Sequence, residues 1–177
     1  MTAQHILISI AEQRLWFYEG LSADVDRWDL ESLSSHKPAL QYAISSSKNG
    51  VGQKMGSYQT PLGRHRIRAK IGAGAPLETV FVGRRPTGEI WTPELAQANP
   101  ARDWILTRIL WLCGLEPGFN RFGDCDTMRR YVYLHGSPPT VEMGEPGSIG
   151  CIRMRSPDIV TLFDRVQAGV TVHLHSA

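Results

Sequence analysis

The sequence is short of the features that define several classes of protein. It has three cysteines, an odd number, so no closed disulfide framework staples it and at least one thiol is free or paired outside the chain. Its 19 Lys and Arg against 17 Asp and Glu leave a formal charge of +2. These charges form no dense basic run, which removes the electrostatic footprint of a nucleic-acid surface but leaves acidic, carboxylate-bearing ligands open. No apolar run is long enough for a membrane span. The opening MTAQHILISIAEQRLWFYEG has no basic leader and is broken by Ser9, Glu12, Gln13 and Arg14, so it does not read as a signal peptide. Two expectations follow: cytoplasmic residence, or another compartment reached by a route this sequence does not show. There is no internal repeat and no low-complexity tract. SSSKNGVGQKMG, from Ser45 to Gly56, lacks the Gly-Lys-Ser/Thr ending and the following helix of a phosphate loop, and is expected to be a mobile loop over a cleft. His173 and His175 share a strand face without an evident third ligand, so no metal is expected.

What is present is enough for one domain, residues 1–177. The 42% hydrophobic content can build a core without metal or disulfides. HILISI and RLWFYEG read as adjacent strands or a hairpin ending at Gly20. Further strands are expected around Tyr42, over His65, Ile67 and Ala69, and in LETVFVGRR. PTGEIWTPELAQANPARD, with three prolines, is expected to be an exposed connection. WILTRILWLCGLE suits a buried strand or a short helix, and we read it as a strand. In RRYVYLHGSPP, Tyr131, Tyr133 and His135 should share one strand face. SPDIVTLFDRVQAG is the clearest helix, with Ser156 as N-cap, Pro157 in the first turn, an apolar face of Ile159, Leu162, Phe163 and Val166, and Gly169 as the stop. VTVHLH closes as a strand. The pattern predicts a mainly β fold, α+β in class, with one substantial helix.

Cysteine chemistry needs a thiolate, a base and oxyanion donors. Cys151 lies in a glycine-bearing loop before the helix, and His135 ends a strand. Alone, each has a bland reading: a small buried hydrophobe and a hydrogen-bonded strand-end histidine. Arg153 is a solvated charge, or a cation that binds a carboxylate or lowers the thiol pKa. Of the adjacent Arg129 and Arg130, one should face solvent. Cys113 sits in an apolar run. Cys125 stands between Asp124 and Asp126, whose negative charge disfavours a thiolate.

YLHGSPP followed by PGSIGCIRM, with QTPLG at Gln59–Gly63 and QRLWFYEG at Gln13–Gly20, resembles the YkuD family of L,D-transpeptidases from about Ile6 to Leu174. The resemblance implies a β-sandwich of mixed sheets with its helix after the cysteine, and no metal or organic cofactor. It implies Cys151 as nucleophile, His135 as base and the Gly136 carbonyl as the group that orients the imidazole. Gly150 would lie at the oxyanion, Ser148 would supply a loop hydroxyl and Arg153 a substrate-facing cation. Arg129 and Ile149 are candidate substrate contacts. The implied activity crosslinks peptidoglycan by acyl transfer between stem peptides, with carbapenem β-lactams as covalent inhibitors and the periplasm or cell envelope as location. Hydrolysis by the same site, as an L,D-carboxypeptidase or endopeptidase, is the alternative. One position departs from the pattern: the histidine usual before Gly-Cys is Ile149, which cannot hydrogen-bond or ionise. That departure motivates a third alternative, a non-catalytic peptidoglycan-binding domain. Because the proton acceptor corresponds to His135, altered rate or donor specificity is expected instead of inactivity.

Overall fold

Strict alternation builds the first hairpin. In β1 (Ala3–Ser9) and β2 (Arg14–Leu21), Ile6 and Ile8 pair with Phe17 and Leu15 and are fully buried on one face, while Leu7 and Tyr18 pack with Leu21 and Leu33 on the other. The chain is described here by a computed structural model covering residues 3–22 and 30–177; part of the polar stretch from Ser22 to Lys37 lies outside the described residues. The helix α1 (Leu30–Ser34) and β3 (Leu40–Ala43) follow, then β4 (Gly63–Ile71), β5 (Thr79–Val82), β6 (Arg85–Ile90), α2 (Pro93–Ala98), β7 (Ile105–Gly114), β8 (Tyr133–Ser137), β9 (Ile152–Arg155), α3 (Ser156–Arg165) and β10 (Thr171–His175).

The strands join into one mixed, curled sheet in the order β3-β2-β1-β10-β4-β7-β5-β6, with β8 on the other edge of β7 and β9 beyond it. β1 with β10 and β8 with β9 are parallel; parallel pairs need long crossovers, and α3 lies in the connection from β9 to β10. Just past β3, Ser45 exchanges both backbone bonds with Arg153 of β9, each 2.9 Å, so the two ends of the sheet meet. The core fills the curl with Ile6, Phe17, Ile67, Leu110, Leu134, Ile152 and Met154, and Ile159, Leu162 and Phe163 of α3 close it. Each fully buried apolar side chain of this kind contributes about 1.5–3 kcal/mol.

Several local expectations are corrected. PTGEIWTPELAQANPARD is not merely an exposed connection: it supplies β6 and α2. Gly83 and Arg84, both at positive φ, make the two-residue turn that folds β6 onto β5. Pro86 is tolerated because β6 is an edge strand. Thr92 caps α2 by accepting the Leu95 N–H, with Pro93 in the first turn. Tyr131, at φ 56, lies in a turn before β8 and not in the strand itself, though its ring packs against Trp111 as that of Tyr133 does. Asp126 holds that turn through bonds from the Arg129 and Phe122 amides. The SSSKNGVGQKMG segment is tied down instead of mobile. The Ser46 amide donates to Gln13 Oε1 and the Ser47 amide to Thr60 Oγ1, while the Lys48 amide donates to the Ser148 carbonyl. Ser156 begins α3 but does not cap it; its buried hydroxyl is 2.7 Å from Thr107 Oγ1. The helix ends at Arg165, ahead of Gly169, whose φ of 90° turns the chain into β10.

Two inward histidines set a pH dependence. His5 and His65 are held near pKa 4 by burial, and neither ring nitrogen of His5 has a hydrogen-bond partner. The folded state refuses protons that the unfolded chain accepts. The stability is therefore complete above pH 6.5 and is lost as pH falls toward 4. Replacing His5 by leucine should leave stability at pH 7 unchanged or raised, because a buried unpaired polar ring is removed. Urea denaturation of His5→Leu between pH 6.5 and 4 should show a slope shallower by up to about 1.4 kcal/mol per pH unit. An unchanged slope would contradict the assignment.

Candidate active site

The pairing of β8 with β9 decides what shares a face. In the parallel register Leu134 meets Ile152 and His135 meets Arg153. Leu134, Ile152 and Met154 are fully buried in the core. Alternation therefore puts Tyr133, His135 and Arg153 on the opposite side, with Cys151, one residue before β9, beside Tyr133. The Tyr133 N–H donates to Cys151 Sγ at 3.3 Å, and the thiol lies 3.5 Å from the Tyr131 carbonyl. His135 and Cys151, paired in the sequence reading, thus come to one sheet face.

The imidazole of His135 is fixed by its neighbour. Nδ1 is 2.6 Å from the Gly136 carbonyl; a carbonyl only accepts, so Nδ1 carries the hydrogen and the neutral ring presents a lone pair at Nε2. Gly136 must be glycine, because a Cβ there would stand 2.6 Å from the Leu106 carbonyl oxygen and 3.0 Å from Thr107 and Ser156 side-chain atoms.

The cysteine loop is shaped by Ser148, whose hydroxyl donates to the Cys151 carbonyl at 2.6 Å and accepts the Gly150 N–H at 3.2 Å. Gly150 adopts φ 133, and its carbonyl accepts from buried Thr60 Oγ1 at 3.0 Å. The Ser45–Thr60 segment therefore buttresses the Cys151 loop. Ile149 is 43% exposed on the lining of the cleft and has no polar side-chain group to offer there.

Burial leaves both members of the pair neutral at rest. Cys151 keeps partial exposure, but its side chain packs on the cluster of Phe81, Ile109 and Tyr133. Burial pushes the thiol up to about 12, with Asp103 adding to the rise and the Tyr133 N–H, Arg153 and Arg130 opposing it. Burial likewise lowers the His135 pKa below 6.5, against the Gly136 bond and Asp103. Arg153, expected to face substrate, is held by Asp103 at 2.6 Å and by the Gly147 carbonyl at 3.1 Å. Arg129 is exposed on the cleft, whereas Arg130 donates to the Gly52 and Gln59 carbonyls and to Ser57 Oγ.

The cleft above Cys151 has a volume of about 660 Å³, bounded by Met55, Tyr58, Arg84, Asp103, Arg129–Tyr133 and Ile149. Arg84, Asp103 and Trp111 were not singled out in the sequence, and Thr60 entered only as part of QTPLG; Gly83 before Arg84 is a turn signal that points to the first of them. Cys113 is buried, and Cys125 directs its thiol to the Arg121 and Phe122 carbonyls. Among the described residues no three His, Cys, Asp or Glu side chains are arranged to hold a metal ion.

The YkuD family model, described as the L,D-transpeptidase catalytic domain, matches residues 3–174. No curated protein matches the chain significantly in sequence. Similar solved structures include a mutant L,D-transpeptidase of Enterococcus faecium, at 16% identity and TM-score 0.53 over 98% of this chain and 50% of that one. An L,D-transpeptidase from Mycobacterium smegmatis matches at 16% identity and TM-score 0.53, over 99% of this chain and 59% of that one. L,D-transpeptidase 3 from Mycobacterium tuberculosis, in complex with a faropenem-derived adduct, matches at 14% and TM-score 0.54, over 99% and 61%. At these identities the likeness is one of fold, and the chain spans between half and about three fifths of the length of these structures. With the family match running over residues 3–174, the chain belongs to the YkuD family of L,D-transpeptidase catalytic domains.

Proposed function

We propose that the chain is a peptidoglycan L,D-transpeptidase that works through a Cys151 thioester in the cell envelope. The observation that carries this reading is the His135 imidazole, pinned through Nδ1 to Gly136, on the sheet face that also bears Cys151. Because the thiol is protonated at rest, attack is coupled to proton transfer: Nε2 of His135 takes the Sγ proton as sulfur adds to the carbonyl at the L-centre of the donor stem. The Tyr133 amide, 3.3 Å from Sγ, favours negative charge on the sulfur, and the amides around Gly150 and Cys151 are the proposed donors to the developing oxyanion, the Gly150 amide being held by Ser148 in the resting loop. Collapse expels the D-amino acid, whose amine takes the proton from the imidazolium, and leaves the thioester. An acceptor-stem amine then attacks, gives its proton to His135 and restores the thiol. Arg153 acts here by holding Asp103 beside the pair instead of by touching substrate.

Hydrolysis of the same thioester is the second reading. It is favoured by the size of the cleft, about 660 Å³, which is on the scale of one bound ligand. Incubation with tetrapeptide stems distinguishes the two: crosslinked dimers indicate an amine acceptor, tripeptides alone indicate water.

Incubation with a carbapenem should add one inhibitor mass to the wild-type chain and none to Cys151→Ala. An unmodified wild type that also forms no adduct with donor stem would instead support a binding module. The pH dependence follows from two neutral groups: kcat/KM should fall only below an apparent pKa under 6.5, as His135 protonates, and stay level to about pH 9 because the thiol does not ionise there. His135→Ala should slow iodoacetamide alkylation of Cys151 at pH 8 on the order of 100-fold or more. An alkylation rate that follows an ordinary thiol titration in both proteins would contradict this mechanism.

A further inference from the structure

Among the described residues three cations on the cleft, Arg84, Arg129 and Arg130, take part in no ion pair. Arg130 is spent on backbone carbonyls and Arg129 is exposed, whereas Arg84 is held in place by aromatic rings. Arg84 is the second residue of the β5–β6 turn, at φ 63, where a non-glycine residue costs about 1–2 kcal/mol. Its guanidinium lies over the rings of Trp111, at 4.6 Å, and Tyr131, at 4.8 Å, and donates from Nη1 to the Tyr133 hydroxyl at 3.0 Å. Tyr131 is itself a non-glycine residue at positive φ. Among the described residues the ion pairs use Arg102, Arg153 and Arg165, and the carboxylate on this cleft, Asp103, is taken by Arg153. Two strained backbone positions and two rings thus hold a guanidinium with one edge unused, on the wall of the cavity that contains Cys151. Strain of this kind persists where the surroundings over-determine it and function uses it.

We propose that Arg84 reads the free carboxylate of the D-amino acid leaving group, one residue beyond the carbonyl that Cys151 attacks. This rests on the stem-peptide reading above. A planar guanidinium stacked on aromatic rings suits bidentate carboxylate recognition. The scale agrees as well. Tyr133 touches the sulfur with its amide and Arg84 with its hydroxyl, so the length of one tyrosine separates nucleophile from cation. An attack distance of about 3–3.5 Å, a residue step of about 3.8 Å and a charge-assisted bond of about 2.8 Å cover a comparable span. Arg84 is therefore a specificity residue that admits stems ending in a free carboxylate at that position.

The test compares release of D-alanine from an L,D-tetrapeptide stem with release of D-alaninamide from its C-terminally amidated form, in wild type and in Arg84→Asn, which tolerates the turn. Wild type should prefer the acid. Arg84→Asn should lose on the order of 100-fold in kcat/KM on the acid and change little on the amide, so that the preference collapses; Arg84→Lys should restore part of it. Equal losses on both peptides would show a structural role and overturn the proposal, as would no loss on either. Wild type inactive on both peptides would overturn the stem-peptide reading and this inference together, a result distinct from the other two.

Discussion

The parallel pairing of β8 with β9 is the constraint on which the site depends. Because strand side chains alternate, one register sends Leu134, Ile152 and Met154 into the core and Tyr133, His135 and Arg153 to the working face; a slip of one residue would exchange the two sets. The register is held from both sides. Ser45 bridges to Arg153 from the far end of the sheet, and Thr107 and Ser156 join their hydroxyls beside Gly136, where no Cβ fits.

The same packing sets the electrostatics. A sulfur on the Phe81, Ile109 and Tyr133 cluster is a poor place for a charge, and so is the buried ring of His135. The resting site accordingly favours thiol and neutral imidazole over an ion pair, and in the proposed mechanism charge appears only when substrate supplies the oxyanion. The nearby Arg153–Asp103 pair brings one charge of each sign to the two groups. Ile149 adds no titrating group to the cleft, and His135 is the base of the proposed mechanism.

Segments whose pattern is local were legible in the sequence. The apolar run of β1, the alternation of β4 and β10 and the apolar face of α3 all appear in the structure, as does β7 from its apolar density. β6 and α2 were hidden by their prolines, because a Pro at a sheet edge or in a first helical turn looks like loop composition. The Ser45–Gly56 segment was misread for a similar reason: its serines and glycines resemble a solvated loop, but the amides of Ser46, Ser47 and Lys48 donate to Gln13, Thr60 and Ser148. His135 and Cys151 could be paired because their motifs are close in the chain. The Arg153–Asp103 bond, 50 residues apart in sequence, and the stacking of Arg84 on Trp111 and Tyr131 depend on strand order, which no local pattern encodes.

The central claim is that Cys151 carries the acyl group of a stem peptide during turnover. Acid quench within the first turnovers on a tetrapeptide stem, followed by intact mass measurement and peptide mapping, tests it directly. The account predicts a mass increase equal to the tripeptide acyl group, located on Cys151 and released by hydroxylamine. Release of the D-amino acid with no modified Cys151, or an acyl group on another residue, would contradict it.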